Sequence, residues 1–415
     1  MIESARRPGN SRKRDLRTGR PFWLSRRGAA VPHAPLERDV TTDVLVVGAG
    51  ISGALVAEAL SVDHRVVVID RRGPVKGSTP ASTALIEYEI DTPLVQLGRK
   101  IGKRKAERAW RRSWLAVNAL AARTRELGIA CDAERRDSLY LAGTTLDAEG
   151  LRAEGEARSA IGIEQLFLSR SALLDRFGID RAAALLAFDD MAADPRRLAA
   201  GYLRAAASRG ARIFAPVEAR EIETGASGVM VATAQGPVIR ASTVVYCTGY
   251  EVPAFLPARG HTLASTYAMA TRPQPRRLWP GPVLIWEASE PYLYLRATAD
   301  GRVMCGGEDV DIADAAARDA LIPEKIAAIR RKLGRLLPGL DTRPEFAWAG
   351  TFGSSATGLP SIGPIPGMRN CWAVLGFGGN GITFSRIAAD VIGGALRGRP
   401  DPDADLFAFA AGRKR

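Results

Sequence analysis

The chain has 415 residues, long for one hydrophobic core, so at least two domains are expected. It is 46% hydrophobic and 25% charged, as globular proteins are, and its main apolar stretch, residues 44–57, is too short and glycine-broken to cross a bilayer. The formal charge of +13 is concentrated, with +7 in residues 1–28 and +7 in residues 99–112, so the rest carries −1 and a nucleic-acid binder is excluded.

Residues 1–40, rich in Arg, Pro and Gly, read as a basic, partly disordered N-terminal arm pinned by the apolar run PFWLS at 21–25. Ser25-Arg26-Arg27 has a twin-arginine look, but GAAVPHAPLERDV after it lacks the apolar run of a secretory signal, and a cytoplasmic location is expected. A strand at 43–47 leads through three glycines into a helix of about 51–60 and a strand at 65–69, a βαβ start. Helical patterns at 92–127 put Trp110, Trp114 and Val117 on one core-facing stripe. Their basic part, 99–112, reads as a solvated face or as a peripheral contact for an anionic membrane or acidic partner.

DSLYLA (137–142) is a strand, and in 194–216 Asp194 caps a helix that Pro195 opens before a further strand. Short strands at 217–240, a buried strand at 242–249 and a strand-rich region at 262–308 follow, the last hairpin turning at ADG, 299–301. A helix at 313–336, a Gly/Pro-rich block at 346–367, the strand CWAVLG and a helix of about 383–397 complete the chain. Cys131, Cys247, Cys305 and Cys371 form no CxxC pair, so neither a metal site nor a disulfide framework is expected.

In Gly48-Ala49-Gly50-Ile51-Ser52-Gly53 the first glycine permits the turn, the second admits a pyrophosphate and the third lets helix and strand pack closely. The helix N-terminus then faces the anion. Asp70, 22 residues after Gly48, suits ribose hydroxyls and disfavours a 2′-phosphate. Two features favour FAD over NAD. GFGGNGITFS (376–385) is a second Gly-rich turn into a helix, able to stabilise negative charge on a reduced flavin, and VVYCTG (244–249) resembles a strand that passes the cofactor in two-dinucleotide-domain flavoproteins.

PFWLS, TDVLVVGAGISG, GSTPASTALIEYEID, STVVYCTGYE, PYLYLRATADGRVMCGGED, GLPSIGPIPG and GFGGNGITFS occur in the order found in D-amino-acid oxidase-type FAD-dependent oxidoreductases, which the chain resembles. The resemblance implies an α/β fold, with a discontinuous Rossmann-type FAD-binding domain (41–90, 185–250 and 345–410) and an inserted antiparallel-sheet substrate domain (91–184 and 251–344). It implies non-covalent FAD, with Gly48, Gly50, Ile51, Ser52 and Gly53 at the pyrophosphate, and Asp70 and Arg71 at the adenosine. Ser78, Thr79, Ser82 and Thr83 would run along the cofactor, Val217 would meet the adenine, and Gly249 would approach closely. Gly379, Asn380, Gly381 and Ile382 would surround the flavin. PASTALIEYEID stands where many relatives carry an Arg-Asn-Gly-Gly-type run, so the surface facing the flavin differs.

Flavin takes a hydride from a carbon bearing nitrogen or oxygen, and oxidation of an alcohol generally needs a base, often histidine. Of three histidines only His261 is placed to enter a pocket, which tilts the reading toward C–N oxidation of a small amine or amino acid. Strand alternation puts Tyr292, Tyr294 and Arg296 on one face, where Arg296 could grip a carboxylate, or the same face could be solvated. Tyr88 is a further pocket candidate, and Glu87 and Glu89 could meet a cationic amine or form a solvated strand edge. A 2-hydroxyacid or glycerol-phosphate-type dehydrogenase and a flavin-binding subunit of a larger complex remain as alternatives. The electron acceptor (oxygen, quinone or carrier protein) and the oligomeric state stay open.

Overall fold

The computed structural model describes residues 6–9, 11–258 and 260–409. Two sheets organise the chain. The parallel core of the first runs Arg212–Phe214, Val66–Ile69, Val40–Val47, Val238–Tyr246 and Cys371–Leu375, neighbours in that order. Its central stretches, 44–47 and 66–69, are continuous apolar runs because both faces are covered, and Leu45, Val46, Val67, Val68 and Ile69 are fully buried. Helices Ile51–Leu60, Pro195–Ser208 and Gly381–Leu396 pack together beside this sheet. The Asp194 side chain caps the second of these, accepting the N–H groups of Arg196 and Arg197 at 3.0 Å.

The second sheet has ten strands and is mostly antiparallel. Pro344–Ser355, His261–Thr271, Val303–Val310, Leu293–Ala297 and Leu284–Glu287 follow one another, and Glu134–Leu141 joins the last in parallel. Helix Ile322–Leu336 covers it with Ile326, Ile329, Leu333 and Leu336.

The structure redraws the expected boundaries in three places. Strands Ala183–Ala192 and Pro344–Ser355, assigned above to the FAD-binding domain, belong to the second sheet. An apolar strand fits either sheet, and only the pairing partner decides. The arm is also more ordered than its composition implies. Arg6–Pro8 pairs with Ala219–Gly225 in the first sheet, Arg17–Gly19 pairs with Pro344–Ser355 in the second, and Phe22 and Trp23 are buried. Lastly, the basic helical segment is split at Gly102 (φ +90°) into Leu94–Ile101 and Lys103–Glu126. There Arg108 binds Asp403 and Asp405, and Arg112 binds Asp390 and Asp401, so these two cations are neutralised, while Lys103, Arg104, Lys105 and Arg111 remain exposed. Trp110 and Val117 are buried as expected, with Trp114 half-buried.

All four cysteines are free and buried. Among the described residues no helix is long and apolar enough to cross a membrane, and no cluster could hold a metal ion.

Candidate active site and cofactor groove

The glycine turn is built by close approach. Gly48 sits at φ +113°, and a Cβ there would lie 2.3 Å from the Cys247 carbonyl oxygen. A Cβ on Gly53 would lie 1.8 Å from the Gly48 carbonyl oxygen, so helix and strand touch through backbone. Helix Ile51–Leu60 starts at Gly50 with no side-chain cap, leaving its N-terminal dipole open toward the groove. Thr79 Oγ1 accepts the Ile51 N–H at 3.1 Å and ties the turn to the following loop. Asp70 closes it from the other side, accepting Ala49 N–H at 2.8 Å with one oxygen and Arg72 and Gly73 N–H with the other. The carboxylate expected at the ribose therefore also buttresses the loop.

Two adjoining cavities run from this turn. The first, about 940 Å³ with its open mouth, is lined by Gly48, Gly50, Ser52, Asp70, Arg71 and Val217, with Gly249 further along. The second, about 1220 Å³, is lined on one side by Ser82, Thr83, Gly379, Asn380 and Ile382. Ile51, Ser78, Thr79, Tyr250 and Gly381 face both, making one continuous groove. Of the expected cofactor residues only Gly53 lies outside these walls, where it serves the packing behind them.

Helix Gly381–Leu396 also begins without a side-chain cap, at Asn380. Ser52 Oγ and Ser385 Oγ, 2.8 Å apart and buried, link the two helices. The Asn380 amide donates to the carbonyls of Glu87 and Glu89, which leaves its oxygen buried, unpartnered and on the groove wall. The basic arm crosses the first cavity, where Gly9, Ser11 and Leu16 complete the lining. It is held by Arg71 on Ser11 O (2.9 Å), Arg17 on Gly77 O (3.1 Å) and Arg14 N–H on Glu251 (2.6 Å). Glu251 in turn pairs with both Arg71 and Arg72. Composition gave no sign of this strap, because its ties are backbone carbonyls and distant partners.

An elongated groove with two uncapped helix starts, a glycine cradle that no side chain could enter and an orphaned amide oxygen fits a dinucleotide carrying a flavin. Residues 43–394 match the family of FAD-dependent oxidoreductases known as DAO. The chain belongs to that family. Gamma-glutamylputrescine oxidoreductase of Escherichia coli strain K12 is 26% identical over 402 residues, covering 94% of this chain and 91% of that one. The crystal structure of glycine oxidase from Geobacillus kaustophilus superposes with a TM-score of 0.72 at 20% identity, over 90% of this chain and all of that one. FAD-bound L-α-glycerophosphate oxidase from Mycoplasma pneumoniae superposes with a TM-score of 0.71 at 17% identity, over 89% of this chain and 95% of that one. FAD is the cofactor of this DAO-family chain, and the α/β architecture is that of its structural neighbours.

The second cavity is a chamber that brings together only some of the residues expected to be catalytic. Tyr292 and Tyr294 line it. Arg296 does not. Its guanidinium donates to the carbonyls of Ala84 (2.7 Å), Ala193 (3.0 Å) and Thr83 (3.5 Å) and lies over Trp23, and burial brings its pKa down to about 10. Alternation set its face correctly, but that face runs from the chamber into the core. Tyr88 is likewise a core residue, packed edge-on to Trp110 and outside both cavities. His261 lies against Gly376 with Nε2 3.4 Å from Ser361 Oγ, also outside both.

Acids line the chamber instead. Glu87 and Asp91 line the chamber beside the second helix start, where Asp91 accepts the Gly379 N–H at 2.8 Å. Asp309 enters from the second sheet and accepts the Tyr292 hydroxyl at 2.5 Å. Burial, and then Glu89 and Asp91, push the Glu87 carboxyl well above the usual range, while burial raises Asp309 to about 6. Glu89, by contrast, turns away from the chamber to Ser138 and Arg158 in the interior, so neither acid forms a solvated edge. The alternating acids of EYEID were the one signal for Glu87 and Asp91. Asp309 and Trp286 gave none.

Proposed function

We propose that this DAO-family enzyme oxidises the C–N bond of an amine or amino acid. Bound in the groove, FAD would accept the hydride lost from the carbon beside nitrogen, and the resulting iminium would hydrolyse in water to a carbonyl compound and an amine or ammonia. The protein's own part is to hold that carbon in the chamber, to exclude water with Tyr292, Tyr294, Trp286 and Phe352, and to take up the ammonium proton. A nitrogen must be unprotonated to give up hydride from its neighbouring carbon, and Asp309, raised only to about 6 and so ionised at neutral pH, can receive that proton.

The observation that carries the reading is the chamber's composition: among the described residues it has three carboxyls and three tyrosines but no histidine to act as base toward an alcohol. For the alternative of C–O oxidation that base is often a histidine, and His261 is the residue it would have used. Anaerobic mixing of the FAD-loaded protein with amines, amino acids and hydroxy acids tests this directly. Amines or amino acids are expected to bleach the flavin, with His261→Ala retaining its rate within about three-fold. Bleaching by hydroxy acids alone, abolished in His261→Ala, would overturn the proposal. Adding oxygen, a quinone or a carrier protein to the reduced enzyme identifies the electron acceptor.

A further inference from the structure

We infer that the substrate is a dicationic amine, a diamine or polyamine without a carboxylate near the reacting carbon, recognised by Glu87, Asp91 and Asp309. This rests on the C–N reading above and goes further in naming what the chamber selects.

Charge is the first argument. Among the described residues the chamber wall holds three carboxyl groups and no Lys, Arg or His. An α-amino acid would bring its own carboxylate beside these acids with no cation to meet it. A buried charge left unpaired costs several kcal/mol. Arg296, the one residue positioned by sequence to grip a carboxylate, is committed to three backbone carbonyls and is 3% exposed.

Unspent bonding capacity is the second argument. Glu87 Oε1 is buried and has no hydrogen-bond partner, although the Glu87 carbonyl is fixed by Asn380 and Thr383 at the second helix start. A buried acceptor without a donor is a marked cost, so it points to a ligand N–H. Across the chamber Asp309 is oriented by the Tyr292 hydroxyl. Among the described chamber residues the buried side-chain donor left without a partner is the neutral Trp286 Nε1–H, whose ring stacks on Tyr140 at 3.7 Å. One neutral N–H does not balance a carboxylate.

Counting protons supplies the third argument. The reacting nitrogen must be neutral, so its transferred proton uses one carboxyl. A second ammonium on the substrate would hold Glu87 and Asp91 in the ionised forms that burial otherwise disfavours. Trp286, Tyr292 and Tyr294 offer aromatic faces for such a cation.

The test uses the FAD-loaded full-length protein with 1,4-diaminobutane, n-butylamine and 2-aminobutyrate, three probes of equal carbon count: the first adds a distal ammonium to butylamine, and the last places a carboxylate on the reacting carbon. Anaerobic flavin reduction should favour the diamine by about ten-fold or more in kcat/KM over each of the others. Its thermal midpoint should rise more with the diamine than with the other two. Glu87→Gln and Asp309→Asn should each lower diamine kcat/KM by about 30-fold or more and shrink the preference for diamine over butylamine to about three-fold or less. Reduction by 2-aminobutyrate equal to or better than by the diamine would sink this inference and leave C–N oxidation standing. Equal handling of diamine and butylamine, unaffected by either substitution, would also sink it. Reduction by hydroxy acids alone would sink both, and so would no reduction and no thermal shift with any of them.

Discussion

Replacing Gly53 by alanine isolates the close contact on which the cofactor turn is built. The added Cβ would sit 1.8 Å from the Gly48 carbonyl oxygen and 2.9 Å from its carbon, both backbone atoms that no rotamer change can move. Atoms in van der Waals contact lie roughly 3.5 Å apart, so the helix must withdraw from the strand by about 1.5 Å. Overpacking of this kind costs about 1–3 kcal/mol. Because the displaced atoms are the turn and helix start that face the first cavity, most of that cost falls on cofactor affinity, about a 5- to 150-fold rise in the FAD Kd. Fluorescence titration of FAD-free protein measures it. Gly77→Ala is the control, since that glycine lines the same cavity yet its Cβ would meet only Leu16 Cδ1 at 3.8 Å. If Gly53→Ala binds FAD within about two-fold of the parent and melts with it, the turn is not set by this contact and the argument fails.

Removing residues 1–20 strips Leu16 from the first cavity and should raise the FAD release rate by about ten-fold or more, the equivalent of one buried leucine. Loss of flavin on rapid gel filtration reads this. Arg296→Met should lower stability by about 2–5 kcal/mol, because three carbonyls lose their donor. The KM of the folded, FAD-loaded enzyme should stay within about three-fold, whereas a substrate clamp would show the reverse split. Asp309, raised from an ordinary 3.8 to about 6, favours folding in its protonated form. That contribution, up to about 3 kcal/mol, is complete below the ordinary value and lost as pH climbs through about 6. Melting curves of the FAD-loaded enzyme should show this loss, and Asp309→Asn should flatten it.

Local rules carried the cofactor half of the site. Apolar runs ending in glycine, a helix opening immediately and an acid after the next strand are contiguous in the chain, and the contacts at Gly53 and Asp70 lie within one βαβ unit. The chamber was less legible. Tyr292 and Tyr294 followed from alternation, but the same alternation carried Arg296 into the core, since period alone fixes a face and not what lies against it. Asp309 and Glu87 come to line one chamber only when the second sheet folds over the second helix start, and Asp309 has no local signature.

What the sequence determined by itself is the α/β class, the family and the dinucleotide grip, because each depends on backbone conformations that nearby glycines and periodic apolar residues impose. Tertiary structure alone decided that a basic arm straps the groove, that Ala183–Ala192 and Pro344–Ser355 join the second sheet, and that acids occupy the chamber. Those outcomes depend on pairing and burial between segments far apart in the chain, where the energy of a charge or a strand is set by what it meets.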